Sequence, residues 1–287
     1  MNRVKSVMLL TLLSVILMAI GNLFGGRSGM LTMLIISLMI NFYTYWNCDK
    51  IALRSYDARP LSQTEAPELY SLLQELSQKA GLPMPRLYVV PTPVPNAFAT
   101  GRDPGHAAVA VTEGIVSLLS RDELAGVISH ELSHVKHRDT LLMTLSASIA
   151  GAISYIANIA QWAAIFGGRG EDNDSNPLAL IFTIVIAPLA AAVIQMALSR
   201  SREFMADESG AEISGKPLAL ASALSKLDNY AHQRVMAQAT PAMSGLCIIN
   251  PLGGVRSVMS NLFSTHPPTA ARIARLQEIA KKMHVSE

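Results

Sequence analysis

The chain has 287 residues, half of them apolar and only 15% charged, with a formal charge of +2. A mean hydropathy of +0.32 is high for a water-soluble domain, and the small net charge without a long basic run argues against a nucleic-acid partner. Two distant cysteines, Cys48 and Cys247, without CxxC spacing, supply neither a disulfide framework nor a cysteine metal site and fit a reducing compartment.

In chain order, four apolar stretches approach or exceed the roughly 18–20 residues that cross a bilayer: 6–24, 30–48, 141–166 and 177–198. Tyr43, Tyr45, Trp46 and Trp162 suit the membrane interface, and Pro188 interrupts the fourth stretch, which a membrane helix tolerates. Arg3 and Lys5 before the first stretch, with Ala19-Ile20-Gly21 inside it, faintly resemble a cleavable signal. Its length and the second stretch that follows at once favour an uncleaved anchor. Arg3, Lys5, Lys50, Arg54, Arg59, Lys136, Arg138, Arg200 and Arg202 flank one side of these stretches; Arg27 and Arg169 lie in the hairpins opposite. Positive-inside logic places both termini and both polar segments in the cytoplasm. The expected organisation is a transmembrane hairpin over 1–48, polar segments over 49–139 and 199–287 that fold together, and a second hairpin over 140–198.

The first polar segment predicts an amphipathic helix near 65–80, with Leu69, Leu72, Leu73 and Leu76 on one stripe and Gly81 and Pro83 ending it. Strands are expected at 86–90, 96–100 and 106–111, separated by a proline-rich break and a glycine turn. Ser120-Arg121-Asp122-Glu123 is a capping box. The helix that it opens has no glycine or proline between Val127 and Ala150, so it is expected to run on into the third apolar stretch. A last helix follows His266-Pro267-Pro268 and carries Ile273, Leu276 and Ile279 at helical spacing. The fold class expected is mostly α with a small β-sheet, four transmembrane helices and a cytoplasmic domain built from the two polar segments.

The chemistry lies on the capped helix, in His130-Glu131-Leu132-Ser133-His134. Histidines at i and i+4 share a helix face, so both imidazoles reach one metal ion. Zinc takes nitrogen and oxygen ligands and in catalytic sites keeps a position for water, which Glu131 is placed to deprotonate. A third ligand is needed. The metzincin pattern requires glycine at 137 and histidine at 140, where this chain has His137 and Thr140. The alternative is Glu203 of Ser201-Arg202-Glu203-Phe204-Met205-Ala206-Asp207, with Asp207 one turn on to accept from a ligating histidine's other nitrogen. Glu208 and Glu212 compete for that position, and Glu203 has Arg200 as an alternative partner. His266 has two readings, a donor to the developing oxyanion or a surface group at a helix start. His106 and His137 read as surface groups, and His232 and His284 have no clear partners in the sequence. The stretch Asn96-Ala97-Phe98-Ala99 reads either as an edge strand that pairs with an extended peptide or as an ordinary core strand.

Three segments together resemble the HtpX family of bacterial membrane proteases, and are similar also to the CAAX prenyl protease. They are the zinc helix with Val135-Lys136-His137-Arg138-Asp139, the run from Ser199 to Asp207, and Ser264-Thr265-His266-Pro267-Pro268 with Arg272. The resemblance covers essentially the whole chain. It implies a gluzincin-type endopeptidase holding one zinc per chain on His130, His134 and Glu203, with Glu131 as general base. It also implies that His266 and Arg272 steady substrate and oxyanion. The implied setting is the bacterial inner membrane, acting on misfolded or damaged membrane polypeptides under stress, with partner proteases in quality control. A zinc-binding scaffold without activity is disfavoured by Glu131, which a structural site does not need. A transporter is disfavoured by apolar stretches almost free of ionisable residues.

Overall fold

The computed structural model describes residues 2–146, 200–233 and 267–283. Helix α1 spans Asn2–Ser55, but Gly25 and Gly26 leave helical geometry, Gly26 at φ +56, and the chain folds back there. A Cβ on Gly21 would stand 2.4 Å from the Gly29 carbonyl oxygen, and one on Gly29 would stand 2.2 Å from that of Gly21. Glycine at both positions therefore sets the closeness of the two arms. Further along, the Asn41 amide donates to the Leu10 carbonyl at 3.2 Å and to the Ser14 hydroxyl at 2.9 Å. The arm Gly25–Ser55 is long and apolar enough to cross a membrane, and Val4–Ala19 is a shorter apolar partner. Phe42, Tyr43, Tyr45 and Trp46 are exposed. The third and fourth expected spans lie outside the described residues, except for the start of the third.

The polar part builds a four-stranded mixed sheet from β1 (Arg59–Pro60), β2 (Arg86–Val90), β3 (Ala97–Thr100) and β4 (Ala108–Thr112), in the order β1-β2-β4-β3. Strands β2 and β4 run parallel, while β1 and β3 are antiparallel to their neighbours. The strand expected from His106 starts two residues later. Asp103 accepts the His106 N–H at 3.1 Å and caps a tight turn over Pro104–His106 instead. Helix α2 (Pro67–Ala80) buries Leu69, Leu72, Leu73 and Leu76 and ends at Gly81, φ +70, a left-handed stop that glycine adopts without steric cost.

After α3 (Glu113–Leu118), helix α4 spans Arg121–Lys136. Both bonds of its capping box are present: Glu123 N–H to Ser120 Oγ at 3.3 Å, and Ser120 N–H to a Glu123 oxygen at 2.8 Å. The helix does not continue into the third apolar stretch. It stops at Lys136, Arg138 adopts φ +56, and a separate helical stretch runs over 140–146. The turn is closed by the Asp139 N–H bonding back to the His134 carbonyl at 3.1 Å. Helices α5 (Arg200–Ser214), α6 (Pro217–Gln233) and α7 (Thr269–Lys282) complete the described fold. Helix α4 is central, lying over β3 and packed against α2, α5 and α6. One core of leucine, valine, isoleucine and alanine joins these helices to the sheet. A second cluster packs Leu9 and Cys48 of α1 against Leu141, Leu142 and Leu145, where the third apolar stretch leaves the polar part.

Candidate metal centre and active site

Helix α4 buries almost its whole length, so the polar residues of its motif sit in the interior: His130, Glu131 and His134 are all buried. One turn of helix separates the two imidazoles, and their Nε2 atoms converge to 3.2 Å. Helix α5 crosses at this point and brings Glu203, also buried, with one carboxylate oxygen 3.6 Å from His130 Nε2 and the other 3.8 Å from His134 Nε2. Glu208 and Glu212 of the same helix are exposed. Of the three carboxylates weighed for the third position, Glu203 is the one the fold delivers. Gly210, two turns beyond Glu203 on the same face, makes the crossing close: a Cβ there would lie 2.9 Å from the His130 backbone nitrogen.

Each histidine is held from behind by a carboxylate. His130 Nδ1 lies 2.9 Å from Asp207 Oδ1, as the spacing of α5 predicts. His134 Nδ1 lies 3.2 Å from Asp139 Oδ2, a partner that no helical spacing signals, because the chain turns at Arg138 to present it. A carboxylate only accepts, so each Nδ1 carries a proton, and each ring turns its Nε2 toward the other. Two lone pairs at 3.2 Å repel unless a proton or a cation lies between them. Burial pulls the His134 imidazole down, but Asp139, Glu203 and Glu131 outweigh it and push it up to about 9. Burial holds His130 below its ordinary value.

The charges around the pair make the same demand. Glu131, Asp139, Glu203 and Asp207 are buried together, and Arg272 of α7 is buried among them. Arg272 grips Asp207 through two bonds, Nε to Oδ2 at 2.8 Å and NH2 to Oδ1 at 2.7 Å. Its third nitrogen stands 3.8 Å from Glu203. Burial would raise Asp207, yet Arg272 holds it below the usual carboxylate range. A buried excess of carboxylate around two converging imidazoles is a cation site in its donor chemistry. One ligand atom each from His130, His134 and Glu203 lies within 4.8 Å of the others.

Glu131 sits beside this point without joining it. Its Oε2 accepts the backbone N–H of Ala99 at 2.8 Å, so the carboxylate rests against the outer side of β3. Burial pushes the Glu131 carboxyl up to about 7, where it can both take and give a proton near neutral pH.

The matches to known proteins agree with this geometry. Residues 63–280 match the model of peptidase family M48. The chain belongs to that family. A protease HtpX homolog of Pyrococcus furiosus is 51% identical over 283 residues, covering 98% of this chain and 97% of that protein. One of Ralstonia pickettii is 52% identical over the same length and coverage. The crystal structure of S. mikatae Ste24p superposes with a TM-score of 0.53 at 16% identity. That match covers 96% of this chain but only 65%, just under two thirds, of the Ste24p chain, and it speaks for the fold. As an M48 member the chain is a metalloprotease, with a helix long and apolar enough for a membrane.

The other histidines fall away from the centre or outside the described residues. His106 is exposed and pairs with Asp103 at 2.8 Å. His232 is exposed, on the Asp228 carbonyl, and His137 is half-buried at the end of α4. His266 and His284 lie outside the described residues. Arg272, given a substrate-steadying role by the resemblance, has its guanidinium engaged with Asp207. The bond from His134 to Asp139, the close approach at Gly210 and the bond from the Ala99 amide to Glu131 are contacts that the sequence does not announce.

Proposed function

We propose that this chain is a zinc-dependent endopeptidase of the membrane that hydrolyses polypeptides at its cytoplasmic face. Its ligands would be His130, His134 and Glu203, and its general base Glu131. The observation that carries the reading is the convergence of the two Nε2 atoms at 3.2 Å, each ring fixed from behind, with Glu203 closing the third side. Zinc, when bound there, supplies a Lewis acid that polarises the scissile carbonyl and makes water acidic.

The chain's own residues do the rest. Glu131 takes the proton of the attacking water on a carboxylate oxygen and returns it to the leaving amine nitrogen, a transfer for which an elevated carboxyl is suited. Strand β3 ends the sheet order and all its residues are buried, and Glu131 meets it at Ala99. An extended peptide paired along β3 would bring its scissile bond beside that carboxylate. Asp207 and Arg272 keep His130 oriented, and His266 is assigned to the oxyanion. In this reading the transmembrane hairpins 1–48 and 140–198 carry the four spans and alternate with the polar parts 49–139 and 199–287, with both termini cytoplasmic. The substrates would be misfolded or damaged membrane proteins of a bacterial inner membrane, handled with other quality-control proteases.

The test uses detergent-purified wild type and Glu131→Gln, kept with chelator until zinc is restored in the assay. Both are expected to bind about one zinc per chain. Only wild type cleaves an unfolded protein such as casein, the variant being slower by about 100-fold or more. Cleavage by Glu131→Gln at the wild-type rate removes the general base. Zinc binding by wild type without cleavage of any unfolded soluble or membrane protein removes the endopeptidase reading.

A further inference from the structure

We infer that Asp139 is a positioning residue of the metal centre, orienting His134 as Asp207 orients His130. The inference rests on the zinc site proposed above and adds to it a residue that lies outside both the histidine motif and the α5 segment.

Asp139 stands at the first residue before the helical stretch 140–146, whose first bond runs from the Met143 N–H to the Asp139 carbonyl at 2.9 Å. That is a helix N-cap position, where an aspartate side chain ordinarily accepts from the N–H groups of the first turn. Here it does something else. Its Oδ2 points back to His134 Nδ1 at 3.2 Å, and among the described residues its Oδ1 has no hydrogen-bond partner. The residue is 2% exposed, so water does not supply the missing bonds freely. A buried carboxylate that gives up its local cap to reach a histidine is placed for the histidine.

The backbone is arranged to permit this. Arg138 takes φ +56, a left-handed conformation disfavoured for a side chain of its size. The Asp139 N–H then closes on the His134 carbonyl at 3.1 Å. Main chain and side chain of Asp139 thus both return to the same histidine. The next turn is pinned to the strand that Glu131 touches: Thr140 donates to the Gly101 carbonyl at 2.9 Å, and the Thr144 and Thr100 hydroxyls meet at 2.9 Å. Arg202, beside Glu203, is near enough for the Asp139 charge to act on it. The ring plane of His134 is therefore set where the third apolar stretch begins.

The experiment measures zinc affinity by competition with a chromophoric chelator, alongside the melting temperature, for wild type, Asp139→Ala, Asp139→Ser and Asp139→Asn. Serine can cap the helix that follows but is too short to reach His134; asparagine keeps an acceptor at the same reach. Expected is a 10- to 100-fold weaker zinc affinity for Ala and Ser, with Ser melting as wild type does, and recovery of most of the loss in Asn. Wild-type affinity in both Asp139→Ala and Asp139→Ser overturns the inference. So does an Asn variant as weak as Ala at an unchanged melting temperature, since the hydrogen bond would then not be the link. Failure of wild type itself to bind zinc overturns the metal site instead, and the two failures are read separately.

Discussion

Helix α4 carries a carboxylate cluster at each end, and the two are built on opposite plans. At the N-terminal end Glu123 accepts from the Ser120 N–H at 2.8 Å, the Ser222 hydroxyl at 2.7 Å and the Lys226 ammonium at 2.8 Å. Every donor is matched, and the cation remains half in solvent. At the other end the charges are buried, and the Nε2 atoms of two imidazoles are driven together to 3.2 Å. The first cluster is complete with protein atoms alone. The second needs a proton or a cation between its imidazoles, and that difference separates a structural charge cluster from a chemical one more clearly than burial does.

The largest effect should come from taking the buried cation out of the second cluster. Arg272→Ala leaves Asp207 ionised and buried without its bidentate partner, and loss of one member of a buried pair costs about 3–5 kcal/mol. The expected outcome is a melting temperature lowered by many degrees and weakened zinc binding. Arg272→Lys keeps the charge but not the two-pronged geometry and should fall between. If Arg272→Ala melts as wild type does, the guanidinium is not balancing Asp207 and is free for the substrate role that the resemblance assigns it.

Next comes the spacing between the helices. Gly210→Ala places a methyl group 2.9 Å from the His130 backbone nitrogen, and backbone cannot move aside as a flexible side chain can. Overpacking of this kind costs about 1–3 kcal/mol. Because Glu203 and Asp207 ride on the same face of α5, zinc affinity should fall along with stability. A Gly210→Ala variant with wild-type zinc affinity would show that the α4–α5 distance does not set the site.

What the sequence displays of this arrangement is what a single helix can display. The capping box, the leucine stripe of α2, the Gly81 stop, the paired histidines and the Glu203–Asp207 pair are local patterns in which spacing determines face. The contribution of Asp139 depends on a left-handed residue, and arginine at 138 does not announce one as glycine or asparagine would. The absence of glycine and proline there suggested instead an unbroken helix. Gly210 has no signal of its own, since its purpose lies in a helix eighty residues upstream. Arg272 was visible as a residue, but its attachment to Asp207 depends on how α7 docks, a tertiary fact that no local spacing carries.

The smallest effect, and the cleanest control on the comparison, concerns the structural end of α4. Burial raises the Glu123 carboxyl, but Lys226, Ser222 and the Ser120 amide outweigh it and pull it down to about 2, from 4.5. A carboxyl depressed on folding stabilises the fold fully above its unfolded value, and the contribution is lost as pH falls through about 2. Glu123→Gln keeps the reach of the capping box and removes only the charge. Lys226 is 44% exposed, so solvent screening limits the loss at neutral pH to about 1 kcal/mol. The difference in melting temperature between wild type and Glu123→Gln should therefore shrink as pH is lowered from 5 towards 2, while zinc affinity at neutral pH stays at the wild-type level. A gap that persists undiminished at low pH would mean that the amide, not the charge, is at fault. Loss of zinc affinity in this variant would mean that the two ends of α4 are coupled, and the contrast between them would fail.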